Sequence, residues 1–177
     1  MRRPLSLIDS SRVEFGFERT VCACEQCTGY CRHVPGYLVP SDLARLRYHC
    51  GGADTFDKWA GQHLLASPGA LVMRNGALAR IPTLVPARRD YGACIFLSAD
   101  SSCSIHPIAP FGCAFFDSHQ EGDEADRRSS RGLRAILEDW QSEGPYSALW
   151  LALHDAGRNA PTPETARAGL SELSKRR

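Results

Sequence analysis

Cys22-Ala-Cys24-Glu-Gln-Cys27-Thr-Gly-Tyr-Cys31 places four of the chain's eight cysteines within ten residues, and Cys94, Cys103 and Cys113 form a second, looser group downstream. Thiolates at this density are ligands for soft metals, zinc and iron–sulfur clusters alike. The nearest simple comparison is the bacterial ferredoxin run, whose first three cysteines are separated by two residues each and whose fourth follows three residues on, before a proline. Here the gaps are one, two and three residues, and Arg32 follows instead of proline. The contracted Cys22-x-Cys24 pair also departs from a zinc knuckle, which spaces its pair by two to four residues.

If Cys24, Cys27 and Cys31 lay on one helix they would share a face, with the outer two about 10 Å apart along its axis. Four ligands with bonds of about 2.3 Å to one zinc cannot spread so far. Three of these thiols at a single centre therefore require the segment to fold back, and Gly29 supplies the backbone freedom for a turn. Seven clustered cysteines exceed the needs of one four-coordinate centre, so there are two centres or some of the seven are not ligands. Cys50 stands apart at the end of a predicted helix and reads as a small buried side chain. His33 and His106 adjoin cysteines and are candidate additional ligands, whereas His49, His63, His119 and His154 read as surface or core residues. The competing uses of these cysteines are disulfides and a Cys/His nucleophile for acyl transfer, and no residue singles out one reactive thiol.

The elements that must position these residues come from the rest of the chain, whose 177 residues suit one domain with a single core. Hydrophobic residues make up 43% and charged residues 23%, ordinary for a soluble globular protein, and a net charge of +1 gives no reason to expect a nucleic-acid or anionic-membrane surface. The Arg88-Arg89, Arg127-Arg128 and Lys175-Arg176-Arg177 clusters read as solvated surface. Asp9 and Arg12 interrupt the apolar run that a secretory leader needs, and no window approaches the roughly eighteen apolar residues of a membrane span. The expectation is a cytoplasmic protein, where thiols stay reduced and cysteine arrays bind metal or catalyse.

Val13, Phe15 and Phe17 alternate as in one short strand. Ser41-Asp42 starts a helix bearing Leu43, Leu46 and Cys50 and stopped by Gly51-Gly52, and a second helix runs from about Thr55 to Leu65 before Ser67-Pro68-Gly69. Residues 70–74 and 77–81 flank Asn75-Gly76 as a β-hairpin on a type I′ turn, with Pro82 and Pro86 limiting the second strand. Cys94-Ile-Phe-Leu97 reads as a further strand, and residues 118–130 as a loop or an exposed helix start. Leu133, Ile136, Leu137 and Trp140 lie at helical spacing. Gly144-Pro145 breaks that helix and starts another, capped by Gly157. Thr162-Pro163-Glu164 opens a last helix with Leu170 and Leu173 as its stripe. The fold class is α+β: a small irregular cysteine-rich core over residues 22–116 with a β-hairpin, packed by short helices, in one domain of residues 1–177 whose part 123–175 is helical.

The run Cys24–Cys27–Cys31, then Val39-Pro-Ser-Asp-Leu-Ala-Arg-Leu46, then Cys94-Ile-Phe-Leu, then Cys103-Ser-Ile-His-Pro-Ile-Ala-Pro-Phe-Gly-Cys113, resembles the YkgJ-like cysteine-cluster family, also described as a zinc- or iron-chelating domain. The resemblance covers about residues 22–116, and the closing Cys103-to-Cys113 motif is its most specific part. Where the family often has adjacent cysteines, Thr28-Gly29-Tyr30 separates Cys27 from Cys31. Where it has Arg-Pro, this chain has Ala109-Pro110, so any role of that arginine is absent or moved. The resemblance implies metal binding by the matched cysteines. A related domain in flagellin lysine methylases has cysteines associated with an iron–sulfur centre, but this chain shows no matched substrate or methyl-donor motif.

Together these residues predict an iron–sulfur cluster, most simply [4Fe–4S], on four of Cys22, Cys24, Cys27, Cys31, Cys94, Cys103 and Cys113. Cys24, Cys27 and Cys31 lead that set, and backbone amides of residues 107–112 are the expected donors to its sulfurs. The alternative is a zinc-stabilised binding module without catalysis, whose coordination shell is closed by protein.

Overall fold

The computed structural model describes residues 12–165, apart from 21, 23, 51, 75, 90 and 91. Helices and small antiparallel strand pairs give the α+β class read from the sequence. The N-terminal alternation does not make one strand. β1 (Val13–Glu14) and β2 (Phe17–Glu18) pair as a hairpin, because Phe15 and Gly16 both take positive φ, 53° and 82°. Two consecutive positive φ values are what a two-residue hairpin turn of type I′ requires.

Helix α1 (Glu25–His33) runs straight through Gly29, so the fold-back that a shared centre would have needed does not occur. Helix α2 (Pro40–His49) begins on proline at its first position, where no N–H is missed, and helix α3 (Ala53–His63) follows. The chain leaves α3 directly into β3 (Leu64–Ser67), where the sequence reading continued the helix to Leu65. That strand is held by β6 (Thr83–Pro86) in antiparallel register, Leu64 opposite Pro86 and Ser67 opposite Thr83. Between them β4 (Leu71–Arg74) and β5 (Ala77–Arg80) form the expected hairpin, Arg74 opposite Ala77, although its turn residue Asn75 lies outside the described residues.

Cys94-Ile-Phe-Leu97 is not a strand. Cys94 bridges to Arg88 and Leu97 to Cys103, and the Leu97 N–H bonds back to the Cys94 carbonyl at 3.1 Å. The two ends pair with different segments, so no ladder can propagate and the tetrapeptide is a turn. A 3₁₀ turn (His106–Ile108) and the one-turn helix α4 (Phe111–Ala114) complete this region. The polar stretch 118–130 resolves into the first half of α5 (Gly122–Gln141), and α6 (Pro145–Asp155) packs against it. Gly157, at φ 73°, ends α6 as expected. Thr162 Oγ1 accepts the Thr165 N–H at 3.1 Å, the cap predicted for a last helix, while Leu170 and Leu173 lie outside the described residues.

The main core joins Leu38, Leu46, Phe56, Leu64, Leu84, Phe111, Phe115, Ile136 and Tyr146, all 0–1% exposed. Burying a side chain of this kind contributes about 1.5–3 kcal/mol. Tyr146 ties the layers together: its hydroxyl donates to the Leu38 carbonyl at 2.8 Å and accepts the Leu84 N–H at 2.7 Å. The carboxylate of Asp42, wholly buried, accepts the N–H groups of Val39 and Phe111 and pairs with Arg12 and Arg45 at 2.9 and 2.7 Å. Arg12 also donates to the carbonyl of Ala109, the position where the resembled family carries arginine. Arg128, read as solvated, is buried, donating to the Glu18 and Phe115 carbonyls and pairing with Glu124. No helix among the described residues is long and apolar enough to cross a membrane.

Candidate metal centre

Helix α1 decides how the cysteines are shared out. Cys24 is its N-cap and Cys27 lies in its first turn, so the two thiols meet at the helix start, and Cys22 approaches them from the preceding segment. Their fourth neighbour is His119, which the sequence reading left among the surface and core residues. One ligand atom from each of Cys22, Cys24, Cys27 and His119 lies within 4.8 Å of all the others, so this group could hold a metal ion. Two thiolates bound to one zinc stand about 3.8 Å apart, given Zn–S bonds of about 2.3 Å and tetrahedral angles. The donor set and its spacing therefore fit a single ion after a small contraction.

The turn after α4 presents His119. Asp117 Oδ1 accepts the His119 N–H at 2.8 Å, and the imidazole Nε2 reaches Cys24 Sγ at 3.3 Å. From the same turn, Ser118 places its N–H 3.4 Å and its hydroxyl 3.1 Å from Cys27 Sγ. Outer-shell donors of this type orient ligands and stabilise thiolate charge. The backbone N–H of Cys27 and, after it, His119 pull the exposed Cys24 thiol down to about 6, the range of a thiolate at a helix N-terminus. Cys22 is raised, although the Cys24 backbone N–H lowers it, because its thiol donates to Cys27 and Cys24.

Cys31 lies two turns beyond Cys24 and joins the downstream group instead. Its carbonyl accepts the Cys94 N–H at 2.8 Å, Cys103 follows from the bridge to Leu97, and the Cys113 thiol lies 3.7 Å from the Gly36 carbonyl. Burial raises all four thiols, Cys94 to about 12, and Cys113 stands close enough to Cys31, Cys94 and Cys103 for their charges to raise it further. The surroundings are apolar: Cys94, Phe96 and Ile105 form a small buried cluster, against which Cys31, Cys103, Trp59 and Ile108 pack. Metal-free, these are four buried or half-buried thiols, and the cation whose charge acts on them is Arg19, which lowers Cys103 against its burial.

Close backbone packing holds Cys113 in place. Gly112 donates to the Tyr37 carbonyl at 2.9 Å, and a Cβ built on Gly36 would lie 2.0 Å from the Gly112 carbonyl carbon. Only glycines permit this crossing.

The expected amide donors of residues 107–112 are taken. Ile108 donates to Ile105, Ala109 to His106, Phe111 to Asp42 and Gly112 to Tyr37, and the two prolines carry no N–H. The amides that reach sulfurs lie elsewhere: Ser118 at Cys27, Cys27 at Cys24, Phe96 and Leu97 at Cys94, and Ile105 at Cys103. Of the other candidates, His33 is exposed at the end of α1, and His106 is lowered by burial and then by Arg19, its Nε2 buried without a hydrogen bond among the described residues. Cys50 packs against the main core at the end of α2. His119, 95 residues from Cys24, was missed because nothing local marks it; the one available signal is its place six residues after Cys113, on the turn that must leave α4. No family model, curated protein or solved structure matches the chain.

Proposed function

We propose that the chain is a two-centre metalloprotein, with Cys22, Cys24, Cys27 and His119 as ligands of one ion and Cys31, Cys94, Cys103 and Cys113 as a separate all-thiolate set. The observation that carries this reading is the convergence of four ligand atoms, from the segment before α1, the start of α1 and the post-α4 turn, within 4.8 Å. Three thiols and an imidazole at that spacing suit zinc, with ferrous iron the competitor for the same donors. The thiolates of a cubane bind four different irons and stand farther apart than ligands of one ion. The iron–sulfur cluster suggested by the cysteine density therefore belongs with the second, apolar set. Resemblance to the YkgJ-like family supports thiolate-bound metal of either kind, and the reduced thiols fit a cytoplasmic setting. A bound cluster would supply one-electron chemistry, and a bound zinc would lock the start of α1 to the turn bearing His119.

The test is zinc, iron and acid-labile sulfide per chain in protein purified without oxygen, for wild type, Cys24→Ser and Cys94→Ser. The expected result is about one zinc with about four iron and four sulfide in the wild type. Cys24→Ser then loses zinc and Cys94→Ser loses iron and sulfide. A colourless protein with two zinc and no sulfide removes the cluster and leaves a zinc-stabilised module. Both variants losing both metals together would overturn the assignment to two separate ligand sets.

A further inference from the structure

A cavity of about 440 Å³ lies where the two cysteine sets adjoin, within the usual range for small-molecule sites. Cys27 of the first set and Cys31 and Cys113 of the second form part of its wall, with Val85, Phe116 and Leu133 among its apolar residues. The cation in that wall is Arg88, which the sequence suggested was solvated surface and which is half-buried. Its Nε donates to the Gly92 carbonyl at 2.7 Å, fixing the guanidinium, and its backbone bridges to Cys94. Among the described residues no carboxylate pairs with it. A half-buried charge without a counter-ion is unfavourable, and a ligand anion would relieve it.

Two further features narrow the anion. One guanidinium presents two parallel N–H groups that match a carboxylate fork. Asp117, also in the wall, adds a negative charge that penalises a dianion such as a phosphate ester. We infer that the cavity binds a small monocarboxylate with an apolar body, its carboxylate on Arg88 and its body against the wall shared by the two cysteine sets. The inference rests on the metalloprotein reading for its significance at the centres, while the cavity and Arg88 stand without it. Because Arg88 lies on the rung opposite Cys94, occupancy is transmitted to a member of the all-thiolate set.

The experiment is calorimetric titration of the purified, metal-analysed protein with acetate, butyrate, hexanoate and octanoate, and with hexanol and hexylamine as neutral and cationic controls. Affinity should rise about fourfold per added methylene until the cavity is full. Arg88→Gln should weaken octanoate at least about tenfold, Arg88→Lys should retain part of the binding, and Ala125→Phe, which fills the cavity from α5, should abolish it. On iron-loaded protein, octanoate should also shift the visible band. Hexanol or hexylamine binding as tightly as hexanoate, or octanoate binding unchanged in Arg88→Gln and Ala125→Phe, would overturn the inference. Fully metal-loaded protein that binds no acid overturns it as well. Protein that takes up no metal even on reconstitution with zinc, iron and sulfide, yet binds octanoate through Arg88, would remove the two-centre reading and leave this one standing.

Discussion

Replacing His119 with alanine removes one ligand of the Cys22–Cys24–Cys27–His119 group and, at the same time, the imidazole that acts on Cys24 at 3.3 Å. A structural zinc site of four ligands is worth about 10–16 kcal/mol near pH 7, or about 3 kcal/mol for each ligand. The expected loss is therefore about 100-fold in zinc affinity. A second effect has a sign set by the thiol. In the metal-free protein the Cys27 N–H and then His119 lower Cys24 to about 6, so at pH 7 it is already mostly thiolate and zinc displaces little proton from it. Without His119 the thiol moves back up toward its ordinary value of 9.0, and zinc must displace a proton at pH 7. That penalty fades as pH rises through the variant's higher value, so the deficit should be largest at pH 6.5 and smallest at pH 8.5. Competition with a chromophoric chelator at pH 6.5, 7.5 and 8.5, with an indicator dye for released protons, reads both quantities. A variant within threefold of wild type at every pH would refute His119 as a ligand. A 100-fold deficit that does not change with pH would refute its action on Cys24.

Asp42→Asn leaves Arg12 and Arg45 without their buried partner and should cost about 3–5 kcal/mol, read as a lower urea midpoint. Gly36→Ala drives a methyl into the Gly112 backbone and should cost more than about 4 kcal/mol while displacing the neighbouring Cys113; a soluble variant with wild-type melting would show that the backbones separate freely. In metal-free native protein, iodoacetamide should label Cys24 with a midpoint near pH 6 and leave Cys94, at about 12, unlabelled below pH 9, as followed by peptide mass spectrometry. Equal labelling of the two at pH 7 would contradict their environments. Gly29→Ala meets nothing within 4 Å and should stabilise α1 by about 1 kcal/mol with metal content unchanged; loss of metal would mean that Gly29 makes a turn after all.

The sequence carried the α+β class because its signals were local. Asn75-Gly76 fixed the register of β4 and β5, and Gly144-Pro145 fixed the break between α5 and α6. It failed where pairing was decided at a distance. Leu64 and Leu65 read as the end of a helix because nothing nearby announces β6, nineteen residues on, which converts them into a strand. Phe15 could not be foreseen at a positive φ, since its pairing with Gly16 in a turn follows from the docking of Phe15 on Phe111 and of Phe17 under Arg128. The site shows the same division. That Cys22, Cys24 and Cys27 would come together was legible from density alone. The partition that leaves Cys31 out was not, because it depends on whether residues 25–33 stay helical across Gly29, a choice that local propensity does not make.

That partition follows from helix geometry. Along a continuous α1, Cys24 and Cys27 are three residues apart and face one end, while Cys31 is carried about 10 Å from Cys24. A zinc ion with bonds of about 2.3 Å cannot bridge that distance. The first group must therefore recruit its fourth donor from outside the cluster, and the turn after α4 supplies His119 together with Ser118. Cys31, left one turn further on, meets Cys94 through its own carbonyl and faces an apolar wall built by Phe96 and Ile105. The three-residue gap between Cys27 and Cys31, where the resembled family often has adjacent cysteines, thus has a physical consequence. Adjacent cysteines would point about 100° apart on the same turn of a helix. Four residues of separation place them on one side, a turn apart, so that one helix can serve the two donor sets proposed above, both bordering the cavity.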